Sequence, residues 1–282
     1  MSCSSRVFLA GVLAAIVSSV SPVRAASAAD AAAGRELMKR YADSVVSVEL
    51  VVTLKVKSGE REAPPREQRV EVNGTVISPS GLTVTSLARV DPQVEFEAMR
   101  ATMGGRAPEL VGIDFKEVKI RLADGKEIPA RFVLKDADLD LAFMAPVGGE
   151  GAPVEFPSYV KLDAAAEGQL LGTYFFVSRA PKALQRVPLV RASEVMGVIE
   201  KPRRFYLLTD EALGSPIFDP SGKVLGITVQ NFSGGRSNGL VVLPAADVAE
   251  MAKQAAEAQK TPPPADATST AAPPANADEK KG

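Results

Sequence analysis

Short runs of β-branched and aromatic residues, each closed off by turn chemistry, fill the middle of this 282-residue chain and point to an all-β fold. They run Val45 to Val56, Val70 to Ile77, Leu82 to Leu87, Val118 to Leu122, Ile128 to Leu134, Leu141 to Met144, Leu170 to Val177, Val187 to Val198, Phe205 to Leu208, Pro216 to Phe218, Val224 to Val229 and Leu240 to Leu243. Pro79-Ser80-Gly81, Ala123-Asp124-Gly125 and Asp219-Pro220-Ser221-Gly222 punctuate them, since proline presets φ and glycine takes the left-handed conformation of a tight turn. Many short strands with such turns predict a sandwich or a pair of barrels. The ends differ: Leu37, Met38 and Tyr41 stand at helical spacing, and Ala245 to Ala258, entered through Pro244, has helix-forming composition. A short helix therefore opens the ordered region and another closes it. Asp91 to Ile113 is too long for an ordinary connection and reads as a surface insertion with a helical turn, or as a lid or partner loop.

The flanks set the compartment. Arg6 precedes an apolar run from Val7 to Val20, and Val23-Arg24-Ala25 suits a signal peptidase, so residues 1–25 are expected to be a secretory signal. The run falls short of the roughly 20 residues that a spanning helix needs and is broken by Ser18, Ser19 and Pro22. The mature chain is then expected outside the cytoplasm, periplasmic or secreted, with no transmembrane segment. Cys3, the single cysteine, lies in this segment, so the mature chain has no disulfide, thiolate nucleophile or cysteine-based metal site. The formal net charge is −1, and losing Arg6 and Arg24, with no acid before Asp30, leaves −3. That is not the basic balance that nucleic acid demands. Residues 260–282, rich in Pro, Ala, Thr and Asp, read as a disordered tail. Between the flanks lie residues 34–147, with the insertion 91–113, and residues 148–259. This length buries roughly 70 to 75% of its unfolded surface without a covalent staple.

Four blocks, in order, resemble the HtrA/Deg family of trypsin-like serine proteases. Gly74-Thr75-Val76-Ile77-Ser78-Pro79-Ser80-Gly81-Leu82-Thr83-Val84-Thr85 is similar to the strand-turn-strand that delivers the family's catalytic histidine. Val118 to Ala130, running on to Asp138-Leu139-Asp140-Leu141-Ala142, is similar to the region holding the catalytic aspartate. Thr209 to Phe218, with Gly222 to Ile227, matches the nucleophile region, and Asn238 to Pro244 the closing strand before a C-terminal helix. The resemblance covers Ser44 to Val248 and implies two packed six-stranded β-barrels with a cleft between them, one over 34–147 and one, with the closing helix, over 148–259. The family's usual C-terminal PDZ module has no counterpart here.

The resemblance also implies what is missing. A serine is a weak nucleophile without a base, and the family uses histidine. This chain has none, and the matching position, three residues after Thr85, is Ala88. The family's Pro-Gly-Asn-Ser-Gly-Gly-Pro loop shrinks to Glu211-Ala212-Leu213-Gly214-Ser215 before Pro216. This places Leu213 at the nucleophile position and leaves the loop too short for an oxyanion hole. Asp140 matches the triad aspartate but has no imidazole to orient, and reads as a residue hydrogen bonding near a strand start. Ser215 is the alternative nucleophile, which would need Lys223 or another lysine, with a strongly depressed pKa, as its base. Asp136-Ala137-Asp138-Leu139-Asp140 lacks the later Gly and Glu of a calcium loop, and Ser233-Gly234-Gly235-Arg236 reads as a hairpin loop, so neither metal nor cofactor is expected. The expectation is a catalytically inactive pseudoprotease that binds a polypeptide or protein partner as an added strand along Gly226, Ile227, Thr228 and Val229. An active serine hydrolase with a rearranged site, or a structural envelope protein whose tail is a spacer, are the alternatives.

Overall fold

The computed structural model describes residues 27–147, 156–210, 212–233 and 236–261. In chain order, α1 spans Ala28–Tyr41, β1 Val45–Ser58, β2 Arg61–Glu62, β3 Arg66–Val76, β4 Thr83–Ser86, α2 Leu87–Val90, α3 Pro92–Met103, β5 Glu109–Arg121, β6 Glu127–Asp136 and β7 Leu141–Pro146. There follow β8 Thr173–Arg179, β9 Pro188–Ile199, β10 Phe205–Leu208, β11 Pro216–Phe218, β12 Val224–Ser233, β13 Arg236–Pro244 and α4 Ala245–Lys260. The signal expected over 1–25 and nearly all of the tail expected over 260–282 lie outside the described residues.

The strands close into two antiparallel six-stranded barrels of the same connectivity. The first runs β1-β3-β4-β7-β6-β5, closed by β5 pairing back on β1, with β2 a short appendage to the end of β1. The second runs β8-β9-β10-β13-β12-β11, closed by β11 on β8. On β1, Val46, Val48, Leu50, Val52 and Leu54 are all buried, two residues apart on one face. Strands where the barrels meet are buried on both faces. Ala142 and Met144 of β7 pack with Val48 and Leu50, while Leu141 and Phe143 join Phe175, Val177, Phe218 and Ile227 of the second barrel. The same core extends to both helices that flank the barrels. The ring of Tyr41 stacks on Phe218 at 4.2 Å and its hydroxyl donates to the Gly222 carbonyl, while α4 adds Val248 and Ala255.

Every strand-like run in the sequence overlaps a strand, though several strands, β3, β5, β12 and β13 among them, run well beyond it. Helix α1 begins at Ala28, ahead of the expected Gly34, because Ser27 and Asp30 form a reciprocal capping box. Strand β5 begins at Glu109, well before Val118, so the insertion 91–113 ends in strand. β2 takes over from β3 on one edge of the end of β1, and the opposite edge also needs a partner, so Leu54 to Lys57 receive Ile113 to Glu109 there. Val111 and Lys116 fall out of register as bulges, which twist this edge and blunt it against further pairing. The rest of the insertion is α3, started by Asp91 accepting from the Gln93 amide, with Val94 and Phe96 packed on the first barrel. Among the described residues no helix is long and apolar enough to cross a membrane.

Outside the first barrel a chain of charges alternates in sign. Glu71 meets Arg186 at 2.5 Å, Arg186 meets Glu49 at 2.8 Å, Glu49 meets Arg121 at 2.5 Å, and Arg121 and Lys119 share Glu127. Arg186 comes from the β8–β9 connection, so the chain ties the two barrels across their outer face. Glu49 is its centre and only 24% exposed. Glu49→Gln is expected to cost about 1 kcal/mol in urea unfolding at low salt. The difference from the parent should shrink as NaCl is raised, and a salt response identical in both proteins would refute the network's contribution.

Candidate functional site

The first element of the site is a carboxylate held between the barrels. Asp140 precedes β7 in a left-handed conformation, φ 55°, and is 1% exposed. Its oxygens accept from the Ser86 hydroxyl, the Ala88 amide and the Gln230 amide, each at 2.6 Å, and its carbonyl accepts from the Leu87 amide at 3.0 Å. One side chain thus fixes the end of β4, the start of α2 and strand β12 of the other barrel. Burial pushes its pKa up to about 6, against the three donors that favour the charged form.

The second element is the turn before β11. The Ser215 amide donates to the Ala212 carbonyl at 3.1 Å, closing a four-residue turn with Gly214 at φ +72° in its third position. The Gly214 amide donates to the Thr228 carbonyl at 2.9 Å, and the Gly214 carbonyl accepts from the Thr75 hydroxyl at 2.8 Å. Both amides are spent inside the fold, where an oxyanion hole would need them aimed at substrate. A Cβ on Gly214 would lie 2.1 Å from the Asn73 carbonyl oxygen and 2.6 Å from the Thr85 hydroxyl, so the turn is seated on the first barrel as only glycine allows. Ser215 is fully buried and its hydroxyl, like that of Thr228 opposite, has no hydrogen-bond partner. Lys223 is exposed at the other end of the β11–β12 hairpin.

These elements border one cleft. Leu213, Arg89, Asn73, Arg179 and Leu240 line a cavity of about 280 Å³ between the barrels. A family model for the trypsin-like peptidase domain matches residues 72–227, from β3 to β12, more than half of the chain. The chain belongs to the trypsin-like peptidase domain family. No curated protein matches it. Within a trypsin-like domain, Ala88 and Asp140 stand in hydrogen-bond contact through the Ala88 amide, and Leu213 faces the cleft beside Arg89, the neighbour of Ala88.

The strand expected to receive a peptide is placed differently. Gly226, Ile227, Thr228 and Val229 are buried. Gly226 and Ile227 pair with Ile217 and Pro216 on one side and with Pro244 and Leu243 on the other. Thr228 bonds both Gly214 and Ser215 through its main chain. No free edge is left at these four residues, because β12 is central in its barrel there. Past Thr228 the side of β12 that faces β11 and the turn has no strand pairing, and the Gln230 amide there goes to Asp140, while the other side stays paired to β13. Gln230 lies one residue past the sequence run Val224 to Val229, and nothing in that run marked its bond to Asp140. Helix α3 stands beside this stretch, lining a groove of about 500 Å³ with Arg236 and Ser237 of β13.

A carboxyl whose pKa is raised on folding stabilises the protein below its unfolded value, near 4, and that contribution is lost as pH rises through about 6. For Asp140 this makes the protein about 1 kcal/mol more stable at pH 5 than at pH 7. Glu49 works the other way and lower: its hydrogen bond from Arg121 holds its pKa below the usual range, so its contribution is lost only under stronger acid. Asp140→Asn should abolish the gain between pH 7 and 5 in urea midpoints, and persistence of the gain in the variant would assign it elsewhere. Gly214→Ala is expected to cost more than about 2 kcal/mol by thermal unfolding; a neutral result would mean that the turn is not seated as described.

Proposed function

We propose that this trypsin-like domain is a pseudoprotease that holds polypeptide in its cleft, outside the cytoplasm, and does not cut it. The Ala212–Ser215 turn carries the reading: it commits its amides to the barrel and buries Ser215, so neither a nucleophile nor an oxyanion hole faces the cleft. The absence of histidine from the sequence supports it independently, since Ala88 offers Asp140 only a main-chain amide. Among the described residues the Ser215 hydroxyl has no hydrogen-bond partner to serve as a base, and its burial supports the view that substrate does not reach it. Strand addition beside Asn231 and Phe232, past the end of the β11 pairing and past the Gln230 amide held by Asp140, is the mode of binding that supports this reading. The signal-like segment at 1–25 supports the extracytoplasmic location.

The test is covalent. Protein from Ala26 onward is treated with a fluorophosphonate beside an active trypsin-like protease, and adducts are mapped by mass spectrometry. No adduct is expected, on the parent or on Ala88→His, because restoring an imidazole restores neither nucleophile nor oxyanion donors. A serine adduct that requires the folded state would overturn the reading and make the protein a hydrolase.

A further inference from the structure

The cleft carries more positive charge than its surroundings neutralise. Arg179, at the end of β8, has a side chain 6% exposed, and its guanidinium donates to the carbonyls of Val45, Ala42 and Arg186. Carbonyls satisfy its hydrogen bonds but leave its charge. The carboxylate nearest to it, Asp43, stands 3.7 Å away and is 72% exposed, where water screens it. Burial pushes the Arg179 pKa down, as expected of a cation short of counter-charge. Across the cavity Arg89 is exposed and, among the described residues, makes no hydrogen bond or ion pair. Glu71 is the one carboxylate in the lining and is already bonded to Arg186 at 2.5 Å. Leu213 and Leu240 supply apolar wall between these charges.

We propose that the cleft selects polypeptide segments in which a carboxylate stands beside an apolar side chain, the carboxylate pairing with Arg89 and the apolar group resting on Leu213 and Leu240. This rests on the polypeptide-binding reading above. A free guanidinium can take a carboxylate through two parallel hydrogen bonds, and the buried charge of Arg179 lowers the energy of an anion further in. A basic segment meets two arginines and is rejected. The carboxylate can come from a Glu or Asp side chain or from a chain terminus, and the chemistry of recognition is the same.

Three dye-labelled peptides of extended sequence test this by fluorescence anisotropy. One carries Leu-Glu at its centre with both ends blocked, one Leu-Gln in the same place, and one Leu-Gln followed by a free C-terminal Leu. The Glu peptide, the free-terminus peptide or both should bind about tenfold more tightly than the blocked Gln peptide, a preference that weakens with salt. Arg89→Gln should erase the preference, whereas Arg100→Gln, the same charge change on α3, should keep it. Equal binding of all three peptides, or a preference that survives in Arg89→Gln, overturns carboxylate selection and leaves polypeptide binding standing. Binding of none of them, with no retention of unfolded carboxymethylated casein on the immobilised protein, removes both.

Discussion

Two closed barrels can share one core only if the strands at their contact are buried on both faces. β7 meets that demand with an unbroken run, Leu141 to Ala145, in which alternate residues serve different barrels. The same requirement explains why β8 and β11 read as continuous apolar stretches, while β1, with one face outward, alternates. It also explains how α1, which precedes the first barrel in sequence, can pack Leu37 and Tyr41 on the second: the seam reaches the surface at both ends and needs a cover.

Polar groups caught near that seam need internal partners, and this fixes the geometry of the cleft. Asp140 satisfies Ser86, Ala88 and Gln230 at once and so holds the two barrels in register. A carboxylate in that place has a structural purpose, because removing it would leave two half-buried amides and a buried hydroxyl unpaired. The turn at Gly214 obeys the same logic. It folds down on Asn73 and Thr85 and gives its amides to its own chain and to Thr228. What remains at the surface is a cleft with an apolar wall and an excess of guanidinium charge.

Much of this was legible in the residues. Local alternation, β-branched runs and turn chemistry depend on neighbours a few positions apart, and they located the strands. The lack of histidine is equally a fact of the sequence. What the sequence did not settle were quantities that depend on partners far along the chain. Strand β5 starts at Glu109 because the edge of β1 opposite β3 and β2 needs hydrogen bonds along its length, and nothing local to Glu109 states that need. Gly226 to Val229 look like any exposed strand until β11 and β13 close on both sides of them. Only the tertiary structure decided that Asp140 would receive an amide from the other barrel, that Ser215 would be sealed in the core, and that Arg89 and Arg179 would face one cavity. Each is set by how two barrels dock, and docking is governed by summed shape and buried area across the whole seam, which no short stretch of sequence encodes.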